Sequence, residues 1–117
     1  LKGRRIIVHS RQPELLQGFS SDEVMATQLS PQELVHQLEQ EKYSEIAICG
    51  GSSIYSMWLE SGLVTDVYLT IEPIFFGQGI SLFSKSHVQR MHLTDNRMLN
   101  DSTQLLHFTM IPKSVLA

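Results

Sequence analysis

The sequence predicts an α/β fold, with strands and helices alternating along a sheet and an antiparallel hairpin added at the C-terminal end. Three features indicate it: short apolar runs separated by amphipathic segments, a glycine-rich turn within "AICGGSSIYSMWLESGLVTD" at 47–66, and two strand-like segments joined by Asn100-Asp101. The expected order of elements is β, β, α, β, α, β, β, β. A chain of 117 residues is long enough for one domain with a core and too short for two, so we expect a single domain over 1–117.

The first half of the chain predicts two short strands and a helix with a clear start. The strands are expected at 5–10 and 23–27, where apolar residues cluster between polar loops. Ser30 has the features of a helix N-cap, Pro31 occupies the first helical position, and Glu33 stands three residues after the cap, which is the pattern of a capping box. The helix should continue to about residue 41, with its apolar face formed by Leu34, Val35 and Leu38.

The second half begins with a strand at 45–49 and a helix from Ser52 to about residue 60. Gly62 is the expected C-cap of that helix, because glycine adopts the left-handed conformation at little cost. A long strand is expected at 65–76, where apolar and polar residues alternate with a period of two. Pro73 must mark an edge, a bulge or the end of this strand, since proline has no amide hydrogen for a sheet.

The C-terminal segments 87–99 and 102–111 predict the hairpin. A run such as "LLHF" within the second segment is apolar on both faces, more than a strand with one solvated face should show. We therefore expect the hairpin to take part in self-association, and the partner to be a second copy of the chain.

Composition excludes several classes of function. The formal net charge of −3 argues against a general nucleic-acid binder. No apolar run approaches the roughly 18 residues needed to span a bilayer, so no membrane partner is expected. Cys49 is the single cysteine, which rules out an internal disulfide and suits a reducing compartment, and the expected location is the cytoplasm.

The turn at Gly50-Gly51-Ser52-Ser53 has two possible meanings. It can be a tight turn and nothing more, or a phosphate site, because a glycine-rich turn at a helix N-terminus presents backbone N–H groups to an anion. The phosphate reading gains from Ser10 and Arg11, a hydroxyl and a cation at the end of the first strand. In a parallel sheet both turns would open on the same edge and could hold a dinucleotide that has a phosphate on its adenosine ribose.

Other chemistry-bearing residues predict no further site. Tyr55 and Trp58 are at helical spacing, so core packing is the default for both, and Glu72 is expected to be a solvated carboxylate. No Ser-His-Asp or Cys-His arrangement can be assembled, and no metal site is expected. The histidines are interpreted as structural or surface residues: His9, His36, His87, His92 and His107.

The segment "GGSSIYSMWLESGLVTDVYLTIEPIFFGQGISLF", residues 50–83, resembles reductases built on the dihydrofolate reductase fold. It is most similar to the C-terminal pyrimidine-reductase domain of riboflavin biosynthesis, the RibD C-terminal domain family. In that family a Gly-Gly turn, a helix, a "GLVD" segment, an "L.I.P" strand, a "G.G" loop and "LF" follow in this order. The resemblance extends over the whole chain, since "KGRRIIVHSR" is similar to the strand that ends at the adenosine site.

The resemblance implies an NADPH site. Gly50, Gly51, Ser52, Ser53 and Ile54 match the positions that hold the pyrophosphate. A second set completes the implied sites: Ser10 and Arg11 near the adenosine 2′-phosphate, Tyr55 beside the nicotinamide, and Thr70 on the substrate side. Cys49, which directly precedes the turn, is counted with the cofactor site, although riboflavin-pathway enzymes usually carry an acid there that is thought to serve the substrate.

The implied function is an NADPH-dependent reductase that transfers hydride to a pteridine- or pyrimidine-type heterocycle and forms a homodimer. The alternatives are dihydrofolate reductase proper and a non-catalytic nucleotide-binding or assembly module of the same fold. The family's first strand, its substrate carboxylate and the following helix have no counterpart in these 117 residues. We therefore expect the chain to be part of a longer one, to lack the catalytic carboxylate, and to form three separate pieces of sheet.

Overall fold

The computed structural model describes residues 5–10 and 24–111, which belong to two compact units, Leu1–Ala47 and Ile48–Ala117. The order of elements is β, β, α, α, β, β, β. The first unit contains β1 (Ile6–His9), β2 (Val24–Thr27) and α1 (Pro31–Gln40). The second unit contains α2 (Ser52–Ser61), β3 (Asp66–Ile71), β4 (Met91–Met98) and β5 (Gln104–Met110). The mixed α/β class is confirmed.

The first unit joins a two-stranded parallel sheet to a capped helix. β1 pairs with β2 from Ile6 opposite Val24 onward. The predicted capping box is present: the Ser30 hydroxyl accepts from the Glu33 amide at 3.2 Å, and the Glu33 carboxylate accepts from the Ser30 amide at 3.2 Å. Hydrogen bonding to the carboxyl by the Ser30 amide, and then by the Ser30 side chain, lowers the pKa of Glu33. Leu34 on the apolar face of α1 is buried, as is Leu38.

The second unit is organised around a three-stranded antiparallel sheet in the order β3–β5–β4. The hairpin of β4 and β5 is confirmed, but the sequence did not indicate that β5 would lie in the middle. As the central strand, β5 is paired along both of its edges, and most of its residues are half-buried. In the "LLHF" run, Leu106 and Phe108 lie on one face of the sheet and Leu105 and His107 on the other.

Helix α2 is fixed at its C-terminal end and along one side. Gly62 caps it with φ of 76°, as predicted, and its amide donates to the Leu59 carbonyl at 3.2 Å. The side chain of Trp58, which lies on α2, is buried. The buried Ser56 hydroxyl accepts from the amides of Ser84 at 2.9 Å and Lys85 at 3.3 Å, which attaches the loop after β3 to the helix.

The strand predicted at 45–49 is wrong: these residues are assigned to no strand, and most are exposed. A strand exists only through backbone hydrogen bonds to a neighbour, and no described strand pairs with this segment. The described residues therefore form two separate sheets, β1–β2 and β3–β5–β4, where three pieces were expected. β3 is shorter than the predicted 65–76 and ends at Ile71, two residues before Pro73.

The two faces of the three-stranded sheet differ in character. One face carries Val67, Leu69 and Phe108, which line a cavity of about 130 Å³ together with Leu59 of α2. Cross-strand pairing places the alternate residues of β3 and β5 on the opposite face. We call this the polar sheet face; β3 and β5 contribute to it Asp66, Tyr68, Thr70, His107, Thr109 and one apolar residue, Leu105, which lies opposite Thr70.

Candidate functional site

The turn before α2 leaves the helix N-terminus open. Gly51 is the N-cap, with an extended backbone (φ −78°, ψ −175°) and no side-chain cap, and its carbonyl accepts from the Tyr55 amide at 3.1 Å. The first amides of a helix have no partner within the helix, and here the first turn contains no acidic residue. Gly50 and Gly51 are exposed, so these amides can be reached from solvent. The arrangement suits an anion.

Helix α1 is a useful contrast within the same chain. Its N-terminus is closed by the reciprocal bonds of Ser30 and Glu33, and the Glu33 carboxylate occupies the place of an anion. Helix α2 has neither the hydroxyl cap nor the acid. The two helices are each ten residues long, so the difference comes from the residues at their N-termini.

The two glycines of the turn have different structural reasons. A Cβ atom at Gly50 would lie 2.7 Å from Ile54 Cβ and 2.8 Å from its Cγ2, closer than real side chains approach. A Cβ at Gly51 would meet nothing within 4 Å, and the φ of Gly51 is negative. Gly50 is therefore required for packing of the turn on the helix, while the space beside the α-carbon of Gly51 is open.

The remaining residues expected around the turn occupy separate positions. Cys49 is exposed as a free thiol, and Tyr55 is half-buried in the first turn of α2. Ser10 follows β1 in the other unit, and its amide donates to the Thr27 carbonyl at 3.0 Å, which extends the parallel pairing by one bond. Arg11 lies outside the described residues. That Ser10, Arg11 and the turn act together remains a prediction.

Thr70, expected on the substrate side, is exposed on the polar sheet face. Two residues earlier on the same strand, Tyr68 stacks on His107, with ring centroids 4.3 Å apart and planes 11° from parallel. His107 Nε2 lies 2.7 Å from Asp66 Oδ2, and Asp66 Oδ1 accepts from the Thr65 hydroxyl at 2.6 Å. No sequence pattern indicates this cluster, because only the register of β3 against β5 brings Asp66 and Tyr68 beside His107.

Glu72 is exposed, as expected of a solvated carboxylate, and it also makes a long-range contact. Its Oε2 accepts a hydrogen bond of 2.9 Å from the hydroxyl of Thr103, which is buried. The bond joins the end of β3 to the turn of the hairpin. No sequence pattern indicated it, since the two residues are 31 positions apart.

The Asp66 cluster predicts a pH dependence of stability. The hydrogen bond from Thr65, and then that from His107, hold the pKa of the Asp66 carboxyl below its usual value of about 3.9. A lowered pKa contributes stability that is present above the usual value and is lost as the pH falls through the folded-state value. The wild type should therefore lose more stability than Asp66→Asn below about pH 4, as measured by urea unfolding. A difference in the free energy of unfolding between the two proteins that stays constant with pH would contradict this assignment. Glu33, whose pKa is also lowered, is present in both proteins, so its effect cancels from the comparison.

Among 5–10 and 24–111, no group of three or more His, Cys, Asp or Glu side chains could hold a metal ion. In the same part of the chain, neither helix has the length and apolar character that crossing a bilayer requires.

Comparison with known proteins identifies one family. The model of the RibD C-terminal domain matches residues 2–107. A search of curated proteins gave no significant match.

Solved structures give the fold and the extent of the similarity. A riboflavin biosynthesis protein from Shewanella sp. PV-4 superposes with a TM-score of 0.81 at 20% identity, over 94% of this chain and 62% of its own. A pyrimidine reductase-like protein from Corynebacterium diphtheriae superposes with a TM-score of 0.62 at 25% identity, over 76% of this chain and 38% of its own. RibD from Acinetobacter baumannii superposes with a TM-score of 0.67 at 19% identity, over 90% of this chain and 31% of its own. The chain thus spans less than two thirds of each of these proteins.

Proposed function

Because the chain belongs to the RibD C-terminal domain family, we propose that it is part of a riboflavin-pathway reductase that transfers hydride from NADPH to a pyrimidine- or pteridine-type heterocycle. The observation that carries this proposal is the open N-terminus of α2 behind Gly50 and Gly51. A pyrophosphate is the kind of anion that such a helix start binds. The similarity to a pyrimidine reductase-like protein supports the substrate class.

The residues of the turn fit a dinucleotide. The amides of Ser52, Ser53 and Ile54 would bind the pyrophosphate, and the uncrowded side of Gly51 would allow it to approach the backbone. When bound, NADPH would supply the hydride to the heterocycle. The chain would contribute orientation: the turn holds the cofactor, and Thr70 on the polar sheet face offers a hydroxyl to the substrate.

A second candidate function is a nucleotide-binding or assembly module without catalysis. It is favoured by Cys49, which stands at the position where riboflavin-pathway enzymes usually carry an acid. The exposed thiol offers no carboxylate to a substrate. Cofactor binding without turnover would support this candidate over the reductase.

The test is a hydride-transfer assay on the full-length protein, with NADPH and a panel of dihydropterins and aminouracils. NADPH oxidation that depends on one of these heterocycles would support the reductase. Binding of NADPH with no turnover on the whole panel would support the second candidate. No binding of NADPH would contradict both.

Cofactor preference gives a separate prediction. Arg11 would place a fixed positive charge at the adenosine 2′-phosphate, and such a charge-assisted contact contributes about 1.5 to 3 kcal/mol, roughly a ten- to hundred-fold preference for NADPH over NADH. Arg5 adds less to the local field than its charge implies, because it forms a 3.0 Å ion pair with Glu41. Calorimetric titration should show that Arg11→Ala removes most of the preference, and Arg5→Ala little of it. Equal affinity of the wild type for both cofactors would contradict the assignment.

We also propose that the chain forms a homodimer through the hairpin. The residues that carry this proposal lie on β4 and not in the "LLHF" run of β5. β5 is central, so the exposed apolar side chains of the hairpin are those of the edge strand β4: Met91, Leu93 and Met98. Exposed edge strands are natural pairing sites. Light scattering at micromolar concentration should give a dimer, and Leu93→Lys should weaken it more than His92→Lys, which alters the neighbouring position on the other face. A monomeric wild type would refute the proposal.

A further inference from the structure

We propose that Tyr68 is a stacking platform for a neutral planar heterocycle on the polar sheet face. The ring of Tyr68 is already stacked on one side by His107, yet the residue is 65% exposed. A tyrosine held in this way presents its other ring surface to solvent. Heteroaromatic rings bind such surfaces because every base has a flat π-face.

The platform is held in place before any ligand arrives. The imidazole of His107 is only 20% exposed, and its Nε2 is tied to Asp66 at 2.7 Å. Asp66 is in turn held by the Thr65 hydroxyl at 2.6 Å. Because these contacts orient the imidazole and the imidazole orients the tyrosine ring, little side-chain freedom remains to be lost on binding.

The neighbouring groups define the class of ligand. Thr70 lies two residues along the same face, roughly 7 Å further on, and can hydrogen-bond to the edge of a stacked ring. On this face Asp66 and Asp95 flank His107, and Arg97 is the register partner of Leu105, which lies opposite Thr70. Charges of both signs are present, which favours an uncharged ring over an anionic or a cationic one. A neutral pyrimidine with amide-like edges satisfies both conditions. The inference rests on the proposed function, since it says where on this chain the heterocycle of that reaction would lie.

The experiment is an NMR titration of the full-length protein with uridine, compared with dihydrouridine, whose saturated ring keeps the polar edges and loses the aromatic face. Uridine should bind about ten-fold more tightly than dihydrouridine. Tyr68→Phe should keep this preference, and Tyr68→Val should abolish it while retaining a β-branched residue in the strand. Tyr43→Val, which removes another exposed tyrosine, should behave as the wild type.

Two results would overturn the platform: equal binding of the two nucleosides, or unchanged uridine binding by a Tyr68→Val variant that unfolds like the wild type. NADPH titration of the same samples separates this outcome from that of the reductase. Uridine binding that depends on Tyr68, in a protein that does not bind NADPH, would support the platform and contradict the reductase. NADPH binding without any preference for uridine over dihydrouridine would contradict the platform and support the reductase.

Discussion

Replacing Trp58 with alanine should lower the free energy of unfolding by about 3 to 5 kcal/mol. Trp58 is 4% exposed, and among the described residues of the second unit it is the one large apolar side chain that is buried to this degree. Removing the indole would leave a cavity that a ten-residue helix cannot collapse to fill. A loss of this size is a large part of the stability of a typical domain, about 5 to 15 kcal/mol.

The measurement is urea unfolding followed by far-ultraviolet circular dichroism, since the variant has no tryptophan to observe. Phe75→Ala is the matched control, because the Phe75 side chain is fully exposed and its truncation should change stability by less than about 0.5 kcal/mol. Trp58→Phe should lie between the two. Equal losses for Trp58→Ala and Phe75→Ala would show that α2 does not form the core of the second unit.

The two glycines of the turn should separate folding from binding. Gly50→Ala should cost about 1 to 3 kcal/mol of stability, because the new Cβ would lie 2.7 Å from Ile54 Cβ. That atom is attached directly to the helix backbone, so no change of rotamer can move it away. Gly51→Val should leave stability nearly unchanged, because a Cβ at Gly51 meets nothing within 4 Å. It should abolish NADPH binding, because Gly51 is the N-cap and a branched side chain there would hinder the approach of a pyrophosphate to the backbone.

Thermal unfolding and NADPH titration of both variants would test this contrast, with Gly51→Ala as the intermediate size. Stability should fall only for the substitution at Gly50, and affinity should fall progressively from glycine to alanine to valine at position 51. If Gly51→Val bound NADPH like the wild type, the turn would have no role in holding a cofactor. If Gly50→Ala were as stable as the wild type, the packing of the turn on Ile54 would be wrong.

Features that depend on neighbouring residues in the chain were predicted correctly. The capping box of Ser30 and Glu33 needs only a hydroxyl and a carboxylate three positions apart, and Gly62 needs only its own freedom to reach positive φ. The hairpin turn is similar: Asn100 Oδ1 accepts from the amides of Ser102 and Thr103, both at 2.8 Å. These interactions close within three residues, so the sequence shows both partners at once.

The candidate cofactor site was predictable for the same reason. A glycine-rich turn followed by a helix is a local pattern, and its open amides follow from the absence of a capping side chain at Gly51. What the sequence did not distinguish is the separate role of each glycine. Gly50 packs against Ile54, whereas a Cβ at Gly51 would meet no atom within 4 Å. This difference depends on the angle at which the turn enters α2.

By itself, then, the sequence determined where the two helices begin and end, that the last two strands form a hairpin, and which turn could bind an anion. Only the tertiary structure decided that β5 lies between β3 and β4, that residues 45–49 pair with no described strand, and that His107 lies between Asp66 and Tyr68. The reason is physical. A strand takes its hydrogen bonds from residues distant in the chain, so an apolar run such as 45–49 has the composition of a strand and becomes one only where a partner is present.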